Sequence, residues 1–248
     1  MAVEQLDRGG DVAARSDRAV RVLGSLADLD VPLAPMTTYR VGGAAAVFVR
    51  PATVDDLVAV ATAWRETALP MLVVGRGSNL LVADDGHPGI AVSLLGLSNA
   101  ITLGEADDEG RVVVDAGGAV SLPVLARRTV AASITGFEWA VGVPGSVGGG
   151  VRMNAGGHGS DMASCLADVD LFDLSIGVEQ RVAAGELGLR FRGSDLADHQ
   201  LVLSARLTLA RGSREQSVSS TRSSAGAART SRAVRTPARC SSTRCPAR

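Results

Sequence analysis

Hydrophobic and polar positions along this chain switch between two periods, and the switches outline its elements. Ala44 to Arg50 is an apolar, β-leaning run closed by Pro51. Thr53 then offers a helix N-cap, and Val54, Leu57, Val58, Ala61 and Trp64 recur at helical spacing. Pro70 restarts the chain as a strand from Met71 to Gly75. The polar loop GRGSN follows, then the apolar stretch Leu80 to Ala83. A turn at Asp84 to Gly86 leads to a short strand near Ile90 to Leu94. A second unit opens with a strand from Arg111 to Gly117 and a helix from Leu122 to Ala132. Further strands are expected from Leu166 to Phe172 and from Gln200 to Ala210, while residues 1–30 read as a variable leader, helical near Val20 to Leu29. The pattern predicts an α+β fold: two small subdomains, about 31–95 and 96–211, facing each other. Loops at strand ends are then placed to meet a ligand.

Composition narrows the class. The 248 residues are 46% hydrophobic and 21% charged, as in a soluble globular protein. No apolar run approaches the ~20 residues of a membrane span, and the N-terminus has no apolar core of a secretory signal. The cysteines Cys165, Cys240 and Cys245 form neither a disulfide framework nor a zinc pair. No metal is expected, and the setting is reducing and cytoplasmic.

Charge is divided unevenly. Residues 1–211 carry 17 arginines and 25 carboxylates; residues 212–248 carry 8 arginines and one carboxylate, Glu215. A basic arm of this kind suggests nucleic acid, but this one has no aromatic residue on which a base could stack. The chain has no lysine at all. A GC-rich gene, whose codons favour arginine, accounts for both features.

The candidate chemistry lies in three glycine loops, since only glycine lets backbone approach an anion without a Cβ in the way. Gly75, Arg76, Gly77, Ser78, Asn79 and Leu80 follow directly on a strand. Gly142 to Gly150 is the second loop, with Pro144, Gly145, Ser146 and Gly149. Asn154 to Gly159, containing Gly156, is the third. None is a G-x-G-x-x-G or Walker loop. Together they predict one extended, phosphate-bearing cofactor gripped largely by backbone, with Arg40 in TTYRVGG as a cation near it.

Four blocks, TTYRVGG, VVGRGSNLLV, GFEWAVGVPGSVGGGVRMNAGGHG and FRGSDL, make residues 31–211 resemble the UDP-N-acetylenolpyruvoylglucosamine reductase family. The resemblance implies a two-subdomain FAD-binding module of the vanillyl-alcohol-oxidase (PCMH) type. It implies NADPH as reductant and UDP-N-acetylglucosamine enolpyruvate as small-molecule substrate, with no nucleic-acid or membrane partner. The implied reaction yields UDP-N-acetylmuramate for peptidoglycan precursors. The implied cofactor contacts are Arg40, Gly75 to Leu80, Gly142, Pro144, Gly145, Ser146, Gly149, Asn154 and Gly156. Arg192 matches the family's catalytic arginine, where a guanidinium can neutralise substrate charge. Phe191 departs from the family's tyrosine. His158 reads as a flavin-side or structural residue, His87 and His199 as surface loop residues, and Trp139 as core beside Glu138.

The family's C-terminal substrate domain cannot be read here, so the module is expected without it. That domain supplies a proton-donating serine in a Gly-Ser-Val-Phe-x-Asn-Pro segment, and a later catalytic glutamate. Residues 212–248 form a low-complexity Arg/Ser/Ala tail, expected to be disordered. Shifting its frame by one base lets Thr236 to Arg244 encode Asn-Ala-Gly-Ser-Val-Phe-x-Asn-Pro. The tail is therefore expected to be out of frame and the activity impaired. Two alternatives stay open: a FAD-dependent oxidase of the same superfamily, and a flavin-binding fragment without catalysis. GRGSN lacks the His or Cys that would anchor a flavin covalently in the oxidase case.

Overall fold

Sixteen residues of polar–apolar repeat near the N-terminus form the first helix, and the sheets build outward from it. The computed structural model describes residues 8–212. The first layer comprises α1 (Arg8–Leu23), β1 (Ala27–Pro32), β2 (Ala44–Val49), α2 (Val54–Thr67), β3 (Met71–Val73) and β4 (His87–Val92). Its sheet runs β1-β2-β4-β3, with β1 antiparallel to β2 and the other neighbours parallel. The second layer begins with β5 (Ile101–Ala106), β6 (Arg111–Gly117), α3 (Leu122–Ala131) and β7 (Ile134–Thr135). It continues through α4 (Val147–Arg152), β8 (Gly156–Gly157), β9 (Ser160–Asp161), β10 (Leu166–Asp173), β11 (Val178–Ala183) and β12 (Gln200–Arg211). Here the antiparallel order is β11-β10-β12-β6-β5, with β7 beside the end of β12.

α2 starts where Thr53 accepts a hydrogen bond from the Asp56 amide, and the Asp56 carboxylate accepts from the Ala52 and Thr53 amides. Those amides hold the Asp56 carboxyl below its usual range, the Ala52 bond most strongly. The buried face of α2 is Leu57, Val60, Ala61 and Ala63. Val54 and Val58, expected on that face, are 39% and 40% exposed. The helix turns small residues toward its sheet and leaves those two valines outside.

A seam of Val47, Val49, Ile90 and Val92 from the first sheet packs with Phe172, Leu174 and Leu201 from the second, so the two layers share one core. A larger core under the second sheet collects Val112, Val114, Leu125, Phe137, Val169 and Leu207. His199, expected in a surface loop, instead stacks on Trp64 of α2 at 5.4 Å across the seam. On the outer face of the second sheet, Arg181 bonds Asp170 at 2.9 Å and Arg206 bonds Asp168 at 2.5 Å. Arg181, first among the causes, keeps the Asp170 carboxyl below its ordinary range. Such partly exposed cross-strand pairs are screened by solvent and add little to stability.

Several elements differ from the pattern reading. Residues 8–30, expected as a leader, supply α1 and the start of β1. Ala19 and Leu23 are buried in the seam, and Arg18 pairs with Glu66 at 3.0 Å. β1 escapes the pattern because it is an edge strand whose Leu29 is 56% exposed. β5 and β11 were not expected either. Gly104 interrupts the first and Glu179, Gln180 and Arg181 make the second polar. β4 begins at His87 instead of near Ile90. The expected tail lies, beyond Gly212, outside the described residues.

His87 is also more enclosed than a surface loop residue. Its Nε2 donates to the Pro70 carbonyl at 3.1 Å, and burial pushes its pKa down although carbonyl partners oppose the shift. A histidine depressed in this way stabilises the fold above its unfolded pKa of about 6.5. That contribution is lost as pH falls through the folded value. Thermal melts should therefore give a Tm that drops on acidification below the ordinary histidine range, and His87→Gln should flatten that part of the profile. An identical pH profile for the two proteins would remove the residue from the account.

Candidate active site

The glycine loops meet because the ends of β3, β6 and β12 converge on α4. Gly118, just past β6, accepts from the Gly148 amide at 2.8 Å, and Val120 accepts from Val147 at 2.8 Å. Ser146 caps α4 by accepting from the Gly149 amide at 3.3 Å. Ser78 donates to the Pro144 carbonyl at 3.2 Å, which ties the first loop to the second. A Cβ on Gly75 would stand 2.7 Å from the Ser146 hydroxyl, so this approach depends on glycine.

Between these loops opens a cleft of about 1230 Å³. Gly75, Arg76, Gly77, Ser78, Asn79, Leu80, Gly142, Pro144, Gly145, Ser146, Gly149, Asn154, Gly156 and Arg192 all line it. Arg40 does not. Its motif instead braces the first loop from behind: Thr38 donates to the Gly77 carbonyl at 3.0 Å, and the Arg40 amide donates to the Thr37 hydroxyl at 3.0 Å. The paired glycines of TTYRVGG serve backbone-to-backbone contact, since a Cβ on Gly43 would lie 2.3 Å from the Asp84 carbonyl oxygen.

The donors in the cleft are mostly backbone. Among the described residues, the N–H groups of Gly75 to Asn79, and those of Gly145 and Ser146, donate to no protein acceptor. N–H groups in a folded protein need an acceptor, and a run of them in a loop forms an anion-binding concavity. The Ser78 hydroxyl proton is already committed to Pro144, so its amide is the free donor. Arg76 and Arg192 add exposed guanidinium groups with no carboxylate partner among the described residues. Arg192 lies 5.7 Å from the centroid of the Phe191 ring, which is 91% exposed at the cleft rim. Arg152 also lines the cleft, but Asp198 and the carbonyls of Leu196 and Ala197 occupy it. This donor set suits an extended polyphosphate held by backbone, with two guanidinium groups in the same cleft to meet further negative charge.

A model of the FAD binding domain family matches residues 45–179. The UDP-N-acetylenolpyruvoylglucosamine reductase from Synechococcus sp. (strain RCC307) is 41% identical over 184 residues, covering 74% of this chain and 59% of the relative. The solved UDP-N-acetylenolpyruvylglucosamine reductase (MurB) from Thermus caldophilus superposes with a TM-score of 0.67 at 30% identity, over 82% of this chain and 69% of that one. The chain belongs to the UDP-N-acetylenolpyruvoylglucosamine reductase family. It carries that family's FAD-binding domain and spans about three fifths of the length of the curated relatives it matches. A solvent-stable cholesterol oxidase shares the fold, with a TM-score of 0.55 at 14% identity, over 76% of this chain and 39% of the oxidase. Together with the family match, this gives the PCMH-type fold.

The remaining candidates separate by burial. Trp139 is core, edge-to-face with Phe137 at 5.0 Å. Glu138 is enclosed and accepts from the Thr135 hydroxyl at 2.6 Å and the Gly136 amide at 2.8 Å, which spends it on its own turn. His158 is exposed and outside the cleft lining. Burial pushes the Cys165 thiol up to about 12, which removes it as a nucleophile. Sequence reasoning missed Ser160, Asp161, Ser164, Asp198 and Gln200, all in the cleft wall. Asp161 and Asp198 carried no motif; only the long-range approach of their loops brings them in.

Proposed function

We propose that this chain is the flavin-binding part of an NADPH-dependent reductase acting on UDP-N-acetylenolpyruvoylglucosamine in peptidoglycan precursor synthesis. The reading is supported above all by one cleft lined by a row of amides without a protein acceptor and by Arg76 and Arg192, neither with a carboxylate partner among the described residues, within a chain of this family. FAD, when bound, supplies hydride chemistry that side chains lack. The amides of Gly75 to Asn79, Gly145 and Ser146 would hold its pyrophosphate. Leu80, Gly142, Pro144, Gly149 and Gly156 shape the walls around it. Arg192 neutralises the carboxylate of the substrate and the charge that grows beside it during reduction. No helix among the described residues is long and apolar enough to cross a membrane, and a cytoplasmic setting is part of the same proposal.

Protonation of the reduced carbon needs an acid within hydrogen-bond reach. Arg192 does not serve, because a guanidinium holds its proton to pH above ~12. In this reading the segment carrying the donor serine is encoded in residues 236–244 one base out of register. The chain as written then binds flavin but turns over slowly. The experiment compares this chain with a frame-restored version, following NADPH consumption with the enolpyruvyl substrate. Both should bind FAD, and the restored protein should be at least about 10²-fold faster, the usual worth of a placed acid. Equal rates would sink the account of the tail.

A further inference from the structure

Asn154 follows α4 in the third glycine loop, with a left-handed backbone (φ +39) and 8% exposure. Its side chain is fully engaged with protein. Nδ2 donates to Asp161 Oδ2 at 3.0 Å and to the Arg190 carbonyl at 3.3 Å. Oδ1 accepts from the Ala163 amide at 2.9 Å. An amide has two N–H donors, and these two acceptors use them.

The Arg190 carbonyl is the base of the turn that carries Arg192. Arg190 and Gly193 exchange backbone hydrogen bonds of 3.0 and 3.1 Å, leaving Phe191 and Arg192 at the tip. Arg192 has φ +56, a conformation that costs a non-glycine residue energy and persists only where surroundings impose it. The other supports of this turn are exposed or act one step away. Arg190 pairs with exposed Asp195 at 2.5 Å, and Ser194 donates to the Arg152 carbonyl at 2.8 Å. Asn154 alone among these reaches the turn from a glycine loop through a buried side chain.

We propose that Asn154 is a positioning residue for Arg192, not a cofactor ligand, and that it joins the cofactor loop to the charge-bearing turn. This rests on the role given to Arg192 above.

The test uses the full chain with FAD. Asn154→Ala removes all three bonds. The double variant Asn154→Asp with Asp161→Asn reverses one pair only. Position 161 then donates to position 154, the Ala163 and Ser164 amides keep their acceptors, and the Arg190 carbonyl loses its side-chain donor, keeps the Gly193 amide and faces a carboxylate oxygen instead. The double variant should recover wild-type thermal stability and FAD affinity within about threefold. Hydrogen exchange at the Gly193 amide and tryptic cleavage after Arg192 should stay about fivefold faster than wild type, the worth of one hydrogen bond. A double variant that loses FAD tenfold while Gly193 exchanges at the wild-type rate would make Asn154 a ligand and overturn the proposal. Should either variant fail to fold, wild-type exchange decides. Gly193 and Ala163 should open together because Asn154 accepts from the Ala163 amide and holds the Arg190 carbonyl to which Gly193 donates, and independent opening would count against it. A failure of the Arg192 reading is distinguishable, because it would show as unchanged turnover in Arg192→Ala while the turn still loosens here.

Discussion

Gly77→Ala is expected to weaken flavin binding by about two orders of magnitude. Gly77 holds φ +61, and an added Cβ would stand 2.0 Å from the Met36 carbonyl oxygen and 2.7 Å from Thr37 Cα. Both are backbone atoms, so no side-chain rotation relieves the contact. The loop cannot retreat freely either, because the Gly77 carbonyl accepts from the Thr38 amide at 3.0 Å. Left-handed strain of roughly 1–3 kcal/mol and a comparable overpacking cost fall on the segment that presents the free amides. About 3 kcal/mol transmitted to the bound state corresponds to roughly a hundredfold in Kd. Gly110→Ala is the control. It too has positive φ (+75), but nothing lies within 4 Å of an added Cβ. It should cost stability at the β5–β6 turn and leave the FAD Kd unchanged. Fluorescence titration of the two variants checks this, and equal Kd values would show that the first loop does not face the cofactor.

Arg192→Ala should leave FAD binding intact and lower turnover of the frame-restored enzyme by about 10²-fold or more, as the loss of a charge contact to a developing anion commonly does. The comparison is clean because alanine, like arginine, has a Cβ and pays a similar left-handed cost at φ +56. Backbone strain therefore cancels and the guanidinium is what is removed. Arg192→Lys should recover part of the rate, since it keeps the charge but not the planar fork. Undiminished reduction of the enolpyruvyl substrate by Arg192→Ala would refute the assignment.

The parts of the site that sequence showed were those where one residue type has one use. Gly75 to Asn79 and Gly142 to Gly150 follow apolar elements directly, and both loops line the cleft. TTYRVGG looked alike on paper, yet Gly42 packs on Val82 and Gly43 on Asp84 and Gly86. Glycine density signals close approach without saying whether a ligand or another strand approaches. Arg40 was expected near the cofactor as a fixed cation; it is exposed and does not line the cleft. Strands with buried alternation, such as β6 and β12, were legible from their valines and leucines. β1, β5 and β11 were not, because edge or exposed strands give up the apolar half of the period. The engagement of Asn154 by Arg190 lies 36 positions away in sequence and could be read only from coordinates.

Titration of the purified 248-residue chain with FAD, followed by flavin fluorescence and visible absorbance, tests the central claim most directly. The account expects saturable quenching at one FAD per chain, not reversed by excess NAD. Tight NAD binding with no affinity for flavin would contradict it.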